Sequence, residues 1–375
     1  MRRFDWLKLG GTEGILLLGS TCNTQCTRSD VHCNTKFQLS TSPRSIVLNL
    51  FREVQNYEPG KCRIIDGMIF GSEDITVLPN GVALISSGLR YPMIPDHNEG
   101  RPGHIYWLDL NEKDPRPKAF SFSSGFDASN FHPHGISYFL EDHDDYSEGA
   151  YLFVVNHPFK NSQVEIFEMD FELNMLMHQK TIKDELLHHV NDVVAVAPNS
   201  FYGTNDHNCD DTLLLEFFLP IKLSDVVFYN STTTVIVATG FGFANGINTS
   251  PDGKYVYVSD FKTSEIHVLR KNEDFTIEPE RIIALNTHPD NIEVDRATGD
   301  LWIGCCPELW RLVFGVDVIP SEVLQIKNAL SLEPMVTSVY ANNGSVLQGT
   351  SSAARHGHHL LLGTVIHRTM LCTLE

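Results

Sequence analysis

Three observations predict an all-β chain folded as a six-bladed β-propeller. From about residue 64 onward, short β-branched and aromatic runs alternate with Gly, Pro, Asn and Asp turn signals. Strand–turn–strand units recur at starting points about 50 residues apart, the period of a four-stranded blade. Helical periodicity is nearly absent, which removes a doubly wound α/β fold, and the strands are too many for a sandwich.

The units follow in order. EDITVLPNGVALISSG (73–88) is strand, Pro-Asn-Gly turn, strand. GISYFLEDHDDYSEGAYLFVVNHP (135–158) repeats the plan around a long acidic loop. VNDVVAVAPNSFYGTNDH (190–207) turns at Pro-Asn-Ser, NGINTSPDGKYVYVSD (245–260) at Pro-Asp-Gly, and DNIEVDRATGDLWIGC (290–305) at Ala-Thr-Gly-Asp. GSVLQGTSSAARHGHHLLLGTV (344–365) is the sixth. The modest helix candidates are 178–189 and 211–224, the second ended by Pro220.

Ahead of these units, residues 1–45 lack periodicity and read as loop or poorly ordered chain, leaving 46–375 as one propeller domain. MRRFDWLKLGGTEGILLLGSTC breaks its apolar patch with two glycines and a glutamate, so it is not read as a signal peptide. Cys22, Cys26 and Cys33 lack the fourth ligand of a zinc knuckle. Cys209, Cys305 and Cys306 are internal, while Cys62 and Cys372 lie near the two ends of the structured region. A bridge between those two would close the fold on itself, but spacing does not dictate connectivity.

The formal charge of −19 and pI near 5.3 argue against a nucleic-acid partner and favour divalent cations. The apolar runs at 15–19 and 359–366 are far too short to span a bilayer.

Taken alone, Asn191-Asp192 reads as turn chemistry where a strand begins. Lined up, however, the units begin at Glu73-Asp74, His134, Asn191-Asp192, Asn245 and Asp290-Asn291. First strands of propeller blades line the central channel, so these side chains converge on one axis. Carboxylates and amides gathered there form an oxygen cage suited to Ca²⁺, whereas zinc prefers Cys and His, and magnesium takes few protein ligands. Adjacent polar pairs would point to opposite faces of an extended strand, which allows two neighbouring ions. His134 and His157 fall on one hairpin; taken singly each reads as a structural histidine, while beside a calcium-lined mouth the two together can move a proton. His207 reads as structural or as support behind the site, and HGHH at 356–359 as a surface turn.

The runs SEDITVLPNGVALISSGL, HGIS, VVNHP, VNDVVAV with FYGTNDH, FANGINTSPDGKYVYV, DNIEVD with TGDLWIGC, and VLQGT with GTVIH resemble the paraoxonase family of arylesterase-type lactonases, in order over roughly residues 50–374. The resemblance implies a propeller with two calcium ions in its central tunnel. It gives a catalytic ion to Glu73, Asn191, Asn245, Asp290 and Asn291, and a structural ion to Asp74, Asp192 and the Ile136 carbonyl. It also implies a His134–His157 dyad, a Cys62–Cys372 disulfide, and pocket walls at Tyr91 and Phe243.

Three departures stand out. The family's hydrophobic N-terminal segment, used for secretion and lipid or lipoprotein association, is not reproduced in 1–45. Cys209–Tyr229 loses the aromatic-rich family pattern and carries Asp225, which would alter a lid over the pocket. Cys306 follows Cys305 where a single thiol is usual. Sequons at Asn230, Asn248 and Asn343 are compatible with an extracellular glycoprotein. The expected activity is calcium-dependent hydrolysis of lactones and aryl esters, with phosphotriesters as a side activity. A gluconolactonase-type propeller and a non-catalytic, calcium-stabilised propeller that binds partners are the competing readings.

Overall fold

A computed structural model describes residues 52–374 apart from 69, 91–99, 142–148, 159–161, 210–211 and 314–317. The expectations for residues 1–45, including Cys22, Cys26 and Cys33, and for Tyr91 lie outside the described residues.

Among the described residues the strands form six sheets, antiparallel except for one short parallel edge strand. Blade 1 is Ile75–Val77, Val82–Ser87, His104–Asp109 and Lys118–Ala119. Blade 2 is Pro133–Leu140, Ala150–Asn156, Gln163–Asp170 and Met175–Ile182, with Ser121–Phe122 added in parallel outside. Blade 3 is Val190–Ala197, Ser200–Asn205, Ser224–Tyr229 and Thr234–Phe241. Blade 4 is Ala244–Thr249, Tyr255–Asp260, Glu265–Lys271 and Ile277–Ala284. Blade 5 is His288–Val294, Leu301–Cys306, Ser321–Lys327 and Met335–Asn342.

Blade 6 is assembled from both ends of the described chain. Thr350–His356, His359–Thr364 and Thr369–Leu374 are completed by Gly60–Ile65, which pairs with the last strand. Cys62 lies opposite Cys372 in that register, and the two are disulfide-bonded. Closing so long a loop restricts the unfolded chain, an effect of about 2–5 kcal/mol in small folds.

The first strand of each blade touches the first strands of its two neighbours, so the six form a closed ring. Between blades lie separate apolar layers, such as Leu84, Ile105, Phe131, Leu152 and Phe167 between blades 1 and 2. Sheets twist, and a circle of twisted blades packed on such layers leaves its polar edge residues facing the axis.

The expected helix over 178–189 is absent. Met175–Ile182 is instead a strand paired with Gln163–Asp170, followed by a turn closed from Leu187 N–H to the Asp184 carbonyl. Sheet pairing overrides the local pattern there, because the His178 ring packs against Phe126 and Phe167 and meets buried Glu165 at 3.0 Å. The second expected helix exists as α1, Leu213–Phe218, and stops before Pro220. A short α2 spans Leu309–Val313. Among the described residues, no helix is long and apolar enough to cross a membrane.

Candidate functional site

The ring of first strands does not begin as regular ladder. Pairing shifts between Pro133 and Ile136, Val190 and Val193, Ala244 and Ile247, and Pro289 and Ile292, each time fitting an extra residue into the first strand. In blade 1, Ser86 serves both Glu73 and Asp74: its carbonyl accepts from Glu73 N–H and its N–H donates to the Asp74 carbonyl. These are β-bulges, which re-aim side chains where a ladder would alternate them. The expectation that the polar pairs lie in extended backbone is therefore corrected: Asn191-Asp192 and Asp290-Asn291 sit in the bulges.

Two glycines allow the bulges to pack. A Cβ on Gly135 would come within 2.2 Å of Asp192 Oδ1, and one on Gly246 within 2.6 Å of Asn291 Cα. Only hydrogen fits there, which explains His134-Gly135 and Asn245-Gly246 as units.

The bulges bring together the acidic and amide residues singled out by sequence. Glu73, Asp74, Asn191, Asp192, Asn245, Asp290 and Asn291 are all buried at the start of the ring. Their hydrogen bonds sort them into two groups. Asp74 Oδ1 accepts from Ile75 N–H and Oδ2 from Ile136 N–H, both at 2.8 Å. Asp192 does the same with Val193 at 2.7 Å and Ile247 at 2.8 Å. Each of these carboxylates staples one blade to the next, and each oxygen retains a lone pair.

In the second group the amide nitrogens are committed. Asn191 Nδ2 donates to Asp206 at 3.0 Å, Asn291 Nδ2 donates to Glu73 Oε1 at 2.8 Å, and Asn245 bonds Asp290. The opposite atoms, Asn191 Oδ1, Asn245 Oδ1, Asn291 Oδ1 and Glu73 Oε2, are buried without a hydrogen-bond donor among the described residues. An unsatisfied buried oxygen costs about 1–3 kcal/mol, so four together require an explanation. A hard cation is chemically suited to such a donor set.

The electrostatics agree. Burial, then Asp74 and Asp290, raises Glu73 well above the carboxylate range. Burial takes Asp74 to about 6 and Asp290 to about 8, and burial with Asp74 raises Asp192. Carboxylates crowded in low dielectric lack a compensating positive charge.

The histidines meet at the edge of this cage. His134 Nδ1 lies 3.0 Å from His157 Nε2, and His157 Nδ1 lies 3.2 Å from the Ser162 hydroxyl. His134 Nε2 approaches Glu73 Oε1 at 3.6 Å. Burial lowers His134 to about 4 and His157 further still, so both rings are neutral bases. Asp206 and His207 enter the site more deeply than sequence suggested. Asp206 accepts from Asn191 through one oxygen and contacts His207 Nδ1 through the other, while the His207 ring stacks on His189 at 3.8 Å. The TNDH run contained that pair, but its partner Asn191 is visible only across the hairpin.

Phe243 is buried in an apolar cluster with Leu213, Phe217, Phe261, Cys306, Leu309 and Ile319. Cys305 and Cys306 are free thiols, and burial pushes Cys306 up to about 12, which keeps it a neutral thiol packed in that cluster. Asp225 is not a lid residue. It sits within blade 3, where Asn205 Nδ2 donates to it at 2.8 Å. Asn248 is buried and donates to the Ile292 carbonyl at 2.9 Å, so it braces blades 4 and 5 rather than offering a glycan acceptor; Asn230 and Asn343 are exposed. His356 and His359 pair across a hairpin turn, away from this cage.

Asp225 gives a pH test. Burial raises it from 3.8 to about 6, so its contribution to stability is full below 3.8 and is lost as pH rises through about 6. Asp225→Asn is expected to stabilise the fold by about 2–3 kcal/mol at pH 8 and much less near pH 4.5, read from denaturant midpoints. Equal wild-type and variant stabilities at pH 8 would contradict this.

Comparison with known proteins follows the same residues. The chain is 47% identical to human serum paraoxonase/arylesterase 1 over 332 residues, 87% of this chain and 92% of that relative. Human serum paraoxonase/lactonase 3 is 46% identical over 331 residues, with the same coverage of both chains. Among solved structures, a luciferin-regenerating enzyme superposes with a TM-score of 0.54 at 13% identity, covering 84% of this chain and 95% of that one. A gluconolactonase from Xanthomonas campestris gives 0.51 at 13% identity, covering 86% and 99%. At such identities these two speak for the propeller fold alone. The arylesterase family profile matches residues 53–374, from just before the closing strand of blade 6 to the last strand of the ring, and with the curated relatives it shows that the chain belongs to the arylesterase family of ester hydrolases.

Proposed function

We propose that the protein is an extracellular, calcium-dependent hydrolase of lactones and aryl esters. The observation that carries this reading is the set of four buried, donorless oxygens beside a neutral, hydrogen-bonded histidine pair. Glu73, Asn191, Asn245, Asp290 and Asn291 would hold one ion; Asp74, Asp192 and the Ile136 carbonyl would hold a second that secures the ring. Bound calcium supplies positive charge for the substrate's carbonyl oxygen as that oxygen becomes an oxyanion.

The remaining steps belong to the chain. His134 Nε2 faces the cage and takes the proton of the attacking water. His157 Nε2, at 3.0 Å from His134 Nδ1, orients that ring and shares the charge it acquires. The Ser162 hydroxyl holds His157 from behind and also accepts from Val190 N–H at 3.0 Å, tying the dyad to the start of blade 3. The wall around Phe243 excludes water and receives the apolar part of the substrate.

Extracellular placement is supported by the Cys62–Cys372 disulfide and by relatives named as serum proteins. The exposed sequons at Asn230 and Asn343 are compatible with it.

Turnover of a panel comprising lipophilic lactones, sugar lactones, an aryl ester and a phosphotriester tests the reading. It is measured with calcium, after chelation, and after calcium is restored. The expected result is hydrolysis of lipophilic lactones and the aryl ester, lost on chelation and regained with calcium, with weaker phosphotriester turnover. Preference for sugar lactones would move the substrate class, and absence of all turnover would leave a non-catalytic propeller.

A further inference from the structure

The buried positive charge beside the apolar wall is not used by the proposed chemistry. Lys262 lies in the turn between Tyr255–Asp260 and Glu265–Lys271 and is only 4% exposed. Removing an ammonium from water is costly unless its donors are satisfied. Here Nζ donates to three backbone carbonyls, Glu216 at 2.5 Å, Leu219 at 2.6 Å and Ile221 at 2.9 Å.

All three acceptors belong to the last turn of α1 and the chain leaving it. A helix end leaves its final carbonyls without intrahelical partners and carries partial negative charge, and a cation answers both needs. Lys262 has three N–H donors, so this one segment occupies its whole donor capacity.

The turn carrying Lys262 is itself fixed. Asp260 accepts from Gly242 at 2.7 Å, and from Phe243 and Thr263 at 3.1 Å each. The same carboxylate therefore sets the backbone of Phe243 and the position of Lys262. At its other end α1 is held by Glu216, which accepts from Asn208 N–H at 2.8 Å and from the Thr212 hydroxyl at 2.6 Å. Between these ties, α1 presses Leu213 and Phe217 into the wall, with Phe217 edge-on to Phe243 at 5.7 Å. Phe243 lies two residues before Asn245 of the cage.

We propose that Lys262 determines substrate selectivity as a positioning residue: its ammonium latches the α1 exit, so that Leu213 and Phe217 form a fixed apolar wall for the substrate's chain or ring. The proposal rests on the lactone and ester reading for its substrate class. The latch itself does not.

Lys262→Met keeps the length and apolar stem and removes the donors. Hydrogen exchange of the amides from Glu216 to Ile221 is expected to rise at least about 10-fold relative to the wild type. KM for a long-chain lactone is expected to rise about 10-fold, while KM for a lactone without a side chain and kcat for both change less than about 2-fold. A general folding defect would shift both substrates together. Lys262→Gln, with two N–H donors, is expected to lie between and serves if the Met variant does not fold.

Unchanged exchange at Glu216–Ile221 would overturn the latch. Faster exchange with unchanged long-chain KM, or an equal loss on both lactones, would overturn its role in selectivity. If the wild type hydrolyses no lactone or ester, the proposed function fails and with it the selectivity role, while exchange still decides the latch.

Discussion

Glu73→Gln is expected to weaken calcium binding by at least about 100-fold and to reduce turnover at limiting calcium in proportion. Both oxygens of Glu73 bear on the proposed ligand set: Oε2 is buried without a donor, and Oε1 accepts from Asn291, which aims the Asn291 carbonyl oxygen. A glutamine can keep one of these functions but not both. If its nitrogen faces Asn291, two amide nitrogens oppose each other; if it faces the cage, a donor replaces an acceptor. Calcium titration by calorimetry reads the affinity directly, and circular dichroism checks that the sheets remain. Near-wild-type calcium affinity in the variant would remove Glu73 from the ligand set.

His134→Gln is expected to lower kcat by about 10²–10⁴ while calcium affinity stays within a few-fold of wild type. The ring lies between Glu73 and His157, so it has a proton-accepting nitrogen toward the cage and a buried partner behind. Removing His157 as well should add little, because two residues acting as one relay lose their function at the first deletion. Single-turnover rates for the two single variants and the double variant, with calcium saturating, test this. Full kcat in His134→Gln would assign the base elsewhere, and the Asp206–His207 pair beside Asn191 is the next group in reach.

Blade number and the opening strands of each blade were legible because they are local, whereas the completion of blade 6 by Gly60–Ile65 was not. Each strand–turn–strand unit carries its own β-branched runs and its own Gly, Pro or Asn turn, and six repeats of such a unit have few ways to pack. The helix expected at 178–189 failed for the same reason in reverse. Its periodicity is local, but His178 is held by Glu165 and two phenylalanines supplied by other strands. Glu73, Asn191, Asn245 and Asp290-Asn291 could be aligned by their places in the units, which is why their convergence at the start of the ring is legible in the sequence.

The direction in which each cage residue points belongs to the tertiary structure. An alternating strand would send Asn191 and Asp192 to opposite faces; the bulge and the hairpin partners send the Asn191 amide to Asp206 and the Asp192 carboxylate to the next blade's N–H. Asp225 was misplaced as a lid residue because its partner Asn205 lies across the sheet. Nothing local in FKTS identifies Lys262 as the cation that caps the end of a helix more than forty residues earlier in the chain. Sequence by itself determined the repeat, the fold and the chemical types that reach the axis. Tertiary structure decided which oxygens are left without donors and which charge holds the exit of α1, because both depend on partners brought close only when the ring closes and water is excluded.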